Sequence, residues 1–378
     1  MTREHGENGG QGPGDDRDIP VGPAPLATGK IGSAGVVTLN RPEALNALND
    51  EMRTLLLPFL EDCAGDPMIY ALVLRSVGGR AFCAGGDLKE LAGLARPDPE
   101  PARASLRREY RQVWQLDRFT KASVSLVDGL CMGSGAGLTM FNTHRVAGKD
   151  YRFAMPEVGI GFFPDVGASH FLGRLGGEIG TYLALTGRGI GRADAFRLGL
   201  VTHCIDGDRF DDIIDALGDA EPIDALLADL HEDPGDGELA AHAAVIAETF
   251  AADSVAGIAK RLEDVEGADR NWAKETAQEI AAKSPTSLAL ALAQMRRGRR
   301  LGLYEALRLE YRIARRLITH PDFFEGVRAL LIDKDGAPGW SPGDMRQIDP
   351  VATEACFAPL EHGDLDLPIV ETPSLAAD

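Results

Sequence analysis

The stretch AMPEVGIGFFPDVGASHFLG, residues 154–173, carries two carboxylates, Glu157 and Asp165, each directly after a proline. Phe153, Met155, Ile160 and Phe162 surround them, and the only other polar side chains in the stretch are Ser169 and His170. A carboxylate placed among such residues loses hydration, so its pKa should rise toward neutrality. A carboxyl tuned that way serves as a general base or as a nucleophile toward a carbonyl carbon. The plainer reading is two acids capping local turns, and the residues alone weigh the two readings evenly.

Two glycine-containing loops supply what carbonyl chemistry also needs. In CAGGDLKEL, Cys83–Leu91, two glycines precede Asp87, a good N-cap for a helix starting near Leu88. In DGLCMGSGAGLTM, Asp128–Met140, Gly133, Gly135 and Gly137 alternate before an apolar helical run. Backbone N–H groups at a helix start lack intrahelical partners and suit an anion. Each loop alone reads as a helix junction or close packing through glycine. Together they supply two N–H donors that can converge on one carbonyl oxygen, and losing one such donor costs about 100- to 1,000-fold in rate. The second loop is neither a dinucleotide fingerprint nor a P-loop. It is not a nucleophile elbow either, since Met132 stands where G-x-S-x-G needs its first glycine before Ser134.

Other chemistries find little support. The cysteines Cys63, Cys83, Cys131, Cys204 and Cys356 are scattered and odd in number, which reads as reduced thiols. The eight histidines show no ligand spacing, so no metal is expected. His144 and His170 read as hydrogen-bonded structural histidines. A net charge of −19 argues against nucleic acid and anionic membranes as partners, while a few local cations still suffice for an anionic small molecule. The first twenty residues are polar, without an apolar signal segment, and no run is long enough to span a bilayer. These features lead to the expectation of a cytoplasmic protein.

The elements that must position these groups alternate. Val36–Leu39 reads as a strand, a turn follows at Asn40–Pro42, and Leu45, Leu48, Met52, Leu55, Leu56 and Leu60 then recur at helical spacing. IYALVLRSV is a short buried strand before the first glycine loop, and ASVSLVDGLCMGSGAGLTMFNTHRVAG repeats the plan of strand, glycine turn, helix and strand. Such alternation predicts an α/β core. Beyond Gly173 the period becomes mainly helical, and DPGDGE at 233–238 breaks the chain. The expected organisation is a disordered tail over 1–28, a core over 29–232, a helical region over 233–345 and an irregular tail over 346–378.

VTLNRPEALNAL, AFCAGGDLKEL, DGLCMGSGAGL, FAMPEVGIG and FPDVGASHFLGRLGG, in that order, resemble the enoyl-CoA hydratase/isomerase (crotonase) superfamily. GFFPDVG, LALTG, KSPTSL, EYR and DFFEGVRALLIDKD narrow the resemblance to its 3-hydroxyisobutyryl-CoA hydrolase branch, from about Val36 to Trp340. The resemblance implies a crotonase-like spiral of repeated ββα units, with a C-terminal helical region closing the acyl pocket. It implies an acyl-CoA substrate, no cofactor beyond the coenzyme A of that substrate, and a homo-oligomer as one available assembly.

The same resemblance assigns the site. The oxyanion donors map to the backbone N–H of Gly86 and of Ser134. Hydratases of the superfamily use two glutamates; one matches Glu157, but the other falls on Gly137, which cannot move a proton. The hydrolase branch keeps Glu157 and adds an aspartate, here Asp165. Glu109 maps to a substrate contact, against the alternative of a solvated helix face pairing it with Arg107, Arg108 or Arg111. Lys89 and Arg80 are the cations nearest for the CoA phosphates, and Glu43 stands where many relatives carry lysine. The expected activity is hydrolysis of 3-hydroxyisobutyryl-CoA in valine breakdown. The rivals are an enoyl-CoA isomerase using Glu157 alone, a serine hydrolase using Ser134, and a non-catalytic CoA-binding protein.

Overall fold

The computed structural model describes residues 22–368. Most of the tail expected over 1–28 therefore lies outside the described residues, and the rest does not fit that expectation: strand β1 occupies Leu26–Ile31 and pairs antiparallel with β2, Ala34–Leu39. The further strands are β3 (Ala71–Ser76), β4 (Ala81–Cys83), β5 (Ala122–Val127), β6 (Leu130–Met132), β7 (His144–Ala147), β8 (Arg152–Ala154), β9 (Ile190–Gly191) and β10 (His203–Cys204).

They form two sheets, ordered β1-β2-β3-β5-β7-β10 and β4-β6-β8-β9. Each pass of the chain adds one strand to each sheet: β3 then β4, β5 then β6, β7 then β8. This is the spiral of ββα turns implied by the resemblance. In the larger sheet every neighbour beyond β1 is parallel, and a parallel sheet is covered on both faces. Alternation along the strands sorts the two cores. Val36, Val73 and Leu126 face the cluster completed by Ile213, Leu217 and Leu227, while Val37, Leu39, Leu72 and Leu74 face the main one.

The helix expected after β2 starts later than its periodicity suggests. It spans Asp50–Gly65, with Asn49 accepting from the Met52 N–H at 2.9 Å. Leu45 precedes it in the left-handed region at φ 52°, Leu48 bridges to Gly86, and Leu55 faces solvent. Apolar spacing carried on through a turn was read as helix. The break at 233–238 does not divide the core: one apolar cluster runs through Phe153 and Leu183 to Ile258, Leu290 and Leu307. Nor is 346–378 irregular throughout. Pro350–Ala355 is a helix, and Leu365 and Leu367 are buried in the same cluster.

Candidate active site

The small sheet brings the predicted residues together. Its parallel strands β4, β6 and β8 lie side by side, with Cys83 opposite Cys131 and Met132 opposite Ala154. The segments leaving their C-terminal ends carry Gly86, Ser134 and Glu157. Beside Gly86 the Leu48 N–H donates to the Gly85 carbonyl and the Asp87 N–H donates to the Leu48 carbonyl, both at 2.8 Å. This parallel bridge uses the groups on either side of Gly86 and turns its own N–H the other way. Ser134 opens the short helix Ser134–Thr139, where first-turn N–H groups have no intrahelical acceptor. The two loops abut: a Cβ built on Gly86 would lie 3.1 Å from the Ser134 Oγ.

Glu157 sits against this pair. Gly133 has φ 49°, and a Cβ there would stand 2.7 Å from the Glu157 Oε1, so only glycine satisfies both backbone and space. The Glu157 side chain is buried, and its Oε2 has no hydrogen-bond partner among the described residues. Burial pushes its pKa up to about 8, and the nearby Glu109 adds to the rise. An unpaired buried carboxyl oxygen is expensive, and function is a common reason for keeping one.

Asp165 lies in the same cavity, about 200 Å³ in volume, together with Gly86, Glu109, Ser134 and Glu157. Its Oδ2 accepts from the Tyr110 hydroxyl at 3.1 Å. Burial holds its pKa well above the usual aspartate range, reinforced by the charges of Glu109, Glu157 and Glu310. The next residue, Val166, has φ 52°, rare for a β-branched side chain. Val166 also fills the space over Gly137: a Cβ there would meet the Val166 Cβ at 2.7 Å and the Val113 Cγ2 at 3.2 Å. A glutamate at 137 has no room in this packing.

Glu109 is buried on the inner face of the helix Glu100–Asp117, which excludes the solvated-face alternative. Its partner is none of the arginines beside it. Arg53, from the helix Asp50–Gly65, binds the Glu109 Oε2 through Nε at 3.0 Å and Nη2 at 2.9 Å, leaving Oε1 unpartnered among the described residues. Arg107 turns to the carbonyls of Gly363 and Asp364, Arg108 to Asp50 and Arg111 to the Asp366 carbonyl.

A groove of about 730 Å³ adjoins the cavity across the helix Leu88–Leu94, which turns Leu88 and Leu91 to the cavity and Lys89 to the groove. Arg96 and Arg328 line the groove as well. The segment opposite is the helix Pro321–Val327 followed by a π-helical turn, Arg328–Ile332, from which Leu331 reaches the cavity. Arg80 lines neither space; it is exposed, and its carbonyl accepts from the Leu130 N–H. Glu43 is exposed in a short 3-10 turn. His170 contacts Arg174, and His144 contacts Asp224 at 3.0 Å, both away from the cavity lining. Among the described residues no three His, Cys, Asp or Glu side chains are grouped to hold a metal ion.

Sequence reading missed Arg53, Tyr110 and Glu310. A signal was present for the two charged ones. Arg53 stands in the buried stripe Arg53, Leu56, Leu60 and Cys63, and Glu310 in the stripe Leu303, Ala306, Leu307, Glu310, Tyr311 and Ala314. A charge inside an apolar stripe must be paired or functional.

The enoyl-CoA hydratase/isomerase family pattern matches residues 34–357. Among curated proteins, the chain is 36% identical to a mitochondrial 3-hydroxyisobutyryl-CoA hydrolase of Gallus gallus, over 89% of this chain and 90% of that one. The protein of the same name in Homo sapiens is also 36% identical, over 89% of each chain. Among solved structures, a carnitinyl-CoA dehydratase from Mycobacterium thermoresistibile superposes with a TM-score of 0.85 at 35% identity, covering 90% of this chain and 98% of that chain. An enoyl-CoA hydratase from Rhodobacter sphaeroides gives 0.84 at 35%, covering 91% and 100%. The mitochondrial names of the curated relatives overturn the cytoplasmic expectation. That expectation rested on the lack of an apolar signal segment, which bears on secretion; mitochondrial presequences are amphipathic and arginine-rich instead.

Proposed function

The chain belongs to the enoyl-CoA hydratase/isomerase family, and from that premise we propose that it is an acyl-CoA thioester hydrolase cleaving 3-hydroxyisobutyryl-CoA to 3-hydroxyisobutyrate and free CoA. One observation carries the reading. Glu157 and Asp165 share a buried cavity with the Gly86 and Ser134 loops, while the position of a second hydratase glutamate, Gly137, is packed shut by Val166 and Val113. The curated relatives of that name support the same choice.

The thioester oxygen sits between the N–H groups of Gly86 and Ser134, which take up the negative charge that develops when the carbonyl carbon is attacked. Glu157 drives the attack. As a nucleophile it forms a mixed anhydride and expels CoA thiolate, and water then releases the acid. As a general base it takes a proton from the attacking water. Solvent ¹⁸O found in the Glu157 carboxyl after single turnover selects the first route, with water attacking the glutamyl carbonyl of the anhydride. A pKa near 8 keeps this carboxyl close to its working range. Asp165, whose protonated form is favoured by burial and by like charges, donates a hydrogen bond to the substrate 3-hydroxyl or the leaving sulfur. Glu109, fixed by Arg53, lines the cavity as a further hydrogen-bond acceptor for the acyl group. Lys89, with Arg96 beside it in the groove, binds the CoA phosphates. The reaction uses no cofactor beyond the CoA of its substrate. A homo-oligomer, implied by the resemblance, is tested by light scattering.

The deciding experiment is thiol release from a panel of short 3-hydroxyacyl and enoyl thioesters. The proposal expects release from 3-hydroxyisobutyryl-CoA and its collapse in Glu157→Gln. Double-bond migration without thiol release would instead identify an isomerase. A Ser134→Ala variant without activity would identify a serine hydrolase, although no histidine lines the cavity among the described residues.

A further inference from the structure

The turn that presents Asp165 does not hold its shape by local bonding alone. Val166 and Gly167 have φ values of 52° and 94°, so two successive residues leave the ordinary regions. The helix that follows, Ala168–Phe171, has only four residues and no side-chain cap of its own. Its exposed donors are met from far along the chain. The Gly167 N–H donates to the Glu310 Oε2 and the Ser169 N–H to the Glu310 Oε1, both at 2.7 Å. Glu310 is wholly buried on the helix Leu303–Leu317, and among the described residues no cation pairs with it. Gln294, from the helix Pro285–Gly298, donates to the Pro164 carbonyl and, at 2.8 Å, to the Ser169 Oγ. The turn is thus gripped on both sides of Asp165.

The grip continues to the Asp165 side chain. Glu310 is followed by Tyr311, whose ring packs edge-on against Tyr110 at 5.7 Å, and Tyr110 donates to Asp165. Two stretches of the same type meet here: Leu106-Arg107-Arg108-Glu109-Tyr110-Arg111 and Leu307-Arg308-Leu309-Glu310-Tyr311-Arg312. Each places a buried glutamate next to a buried tyrosine on the apolar stripe of its helix. One glutamate lines the cavity; the other does not.

We infer that Glu310 is a positioning residue for hydrolysis: its carboxylate, reaching in from the C-terminal helices, caps the N–H groups of Gly167 and Ser169 and thereby fixes the strained turn that aims Asp165. The inference rests on the hydrolase reading for its kinetic consequence, but its structural part stands independently. Two oxygens receiving two N–H donors suit a carboxylate and not an amide, which would set its NH₂ against one of them. Glu310→Gln therefore loosens the turn without emptying the site.

The test combines kinetics and crystallography of Glu310→Gln beside the wild type. A misplacement of about 1 Å at a catalytic group can cost on the order of 100-fold, so kcat should fall about 10- to 100-fold while KM stays within about twofold. In the crystal the Asp165–Tyr110 hydrogen bond, 3.1 Å in the wild type, should open beyond 3.5 Å. A folded variant with wild-type kcat, or with that bond intact, overturns the inference. If Glu310→Gln does not fold, Gln294→Leu removes the neighbouring tie and should lower kcat about 3- to 10-fold at unchanged KM; wild-type kcat there overturns it equally. If the wild type itself releases no thiol, the hydrolase reading fails, and the crystallographic comparison alone decides the role of Glu310.

Discussion

The oxyanion loops and the Asp165 turn build one cavity by opposite means. Gly86 and Ser134 follow neighbouring strands of one small sheet, and strand pairing together with the Leu48 bridge sets their backbone N–H groups side by side. The groups concerned are main chain, placed by backbone pairing. Asp165 follows no strand. Its turn passes through Val166 at φ 52° and is held by Glu310 and Gln294, more than a hundred residues downstream, and by Tyr110. Backbone pairing places the N–H groups proposed to hold the oxyanion; distant side chains place the acid proposed to select the reaction.

Five substitutions and one pH profile probe this division. Glu157→Gln, which leaves both regions in place but removes the carboxyl proposed to drive the attack, should lower kcat about 1,000-fold or more in a thiol-release assay. The same variant has a stability signature. A carboxyl whose folded pKa of about 8 exceeds its ordinary value of 4.5 binds its proton more tightly in the folded protein. Its contribution is full below about pH 4.5 and is lost as pH rises through about 8. At pH 9 Glu157→Gln should therefore be more stable than wild type by on the order of 4 kcal/mol as an upper bound, and no more stable at pH 4, by urea denaturation. In the wild type, kcat/KM should rise with pH through about 8 as Glu157 ionises, and a flat profile from pH 6 to 9 would remove it as the attacking group.

Asp165→Asn comes next. The amide retains a donor and keeps the Tyr110 contact, so kcat should fall less, about 10- to 100-fold, with no gain of isomerase activity. Gly137→Glu sharpens the contrast from the other side. Because Val166 and Val113 occupy the space, it should destabilise the fold by about 1–3 kcal/mol and loosen the Asp165 turn without creating a hydratase. Hydration of crotonyl-CoA by that variant would refute the packing explanation. The smallest effect belongs to the groove: Lys89→Ala should raise KM for the CoA thioester about 2- to 5-fold with kcat unchanged, the yield of one exposed charge pair. Arg80→Ala should leave both constants at wild-type values.

Amino-acid order alone determined the alternation of strands and helices, the two glycine loops and the two acids after prolines, because each is written in neighbours a few residues apart. The resemblance to the family also gives Gly137 its meaning from sequence alone. Order along the chain misplaced the start of the Asp50–Gly65 helix, since Leu45 and Leu48 keep its apolar spacing through a turn. It hid strand β1, whose Thr28, Gly29 and Lys30 lean on a partner strand for their regularity. Only the tertiary structure paired Glu109 with Arg53, packed Val166 over Gly137 and carried Glu310 to the Asp165 turn. Those contacts join residues 29 to 143 positions apart, and a buried charge announces that it needs a partner without saying which one.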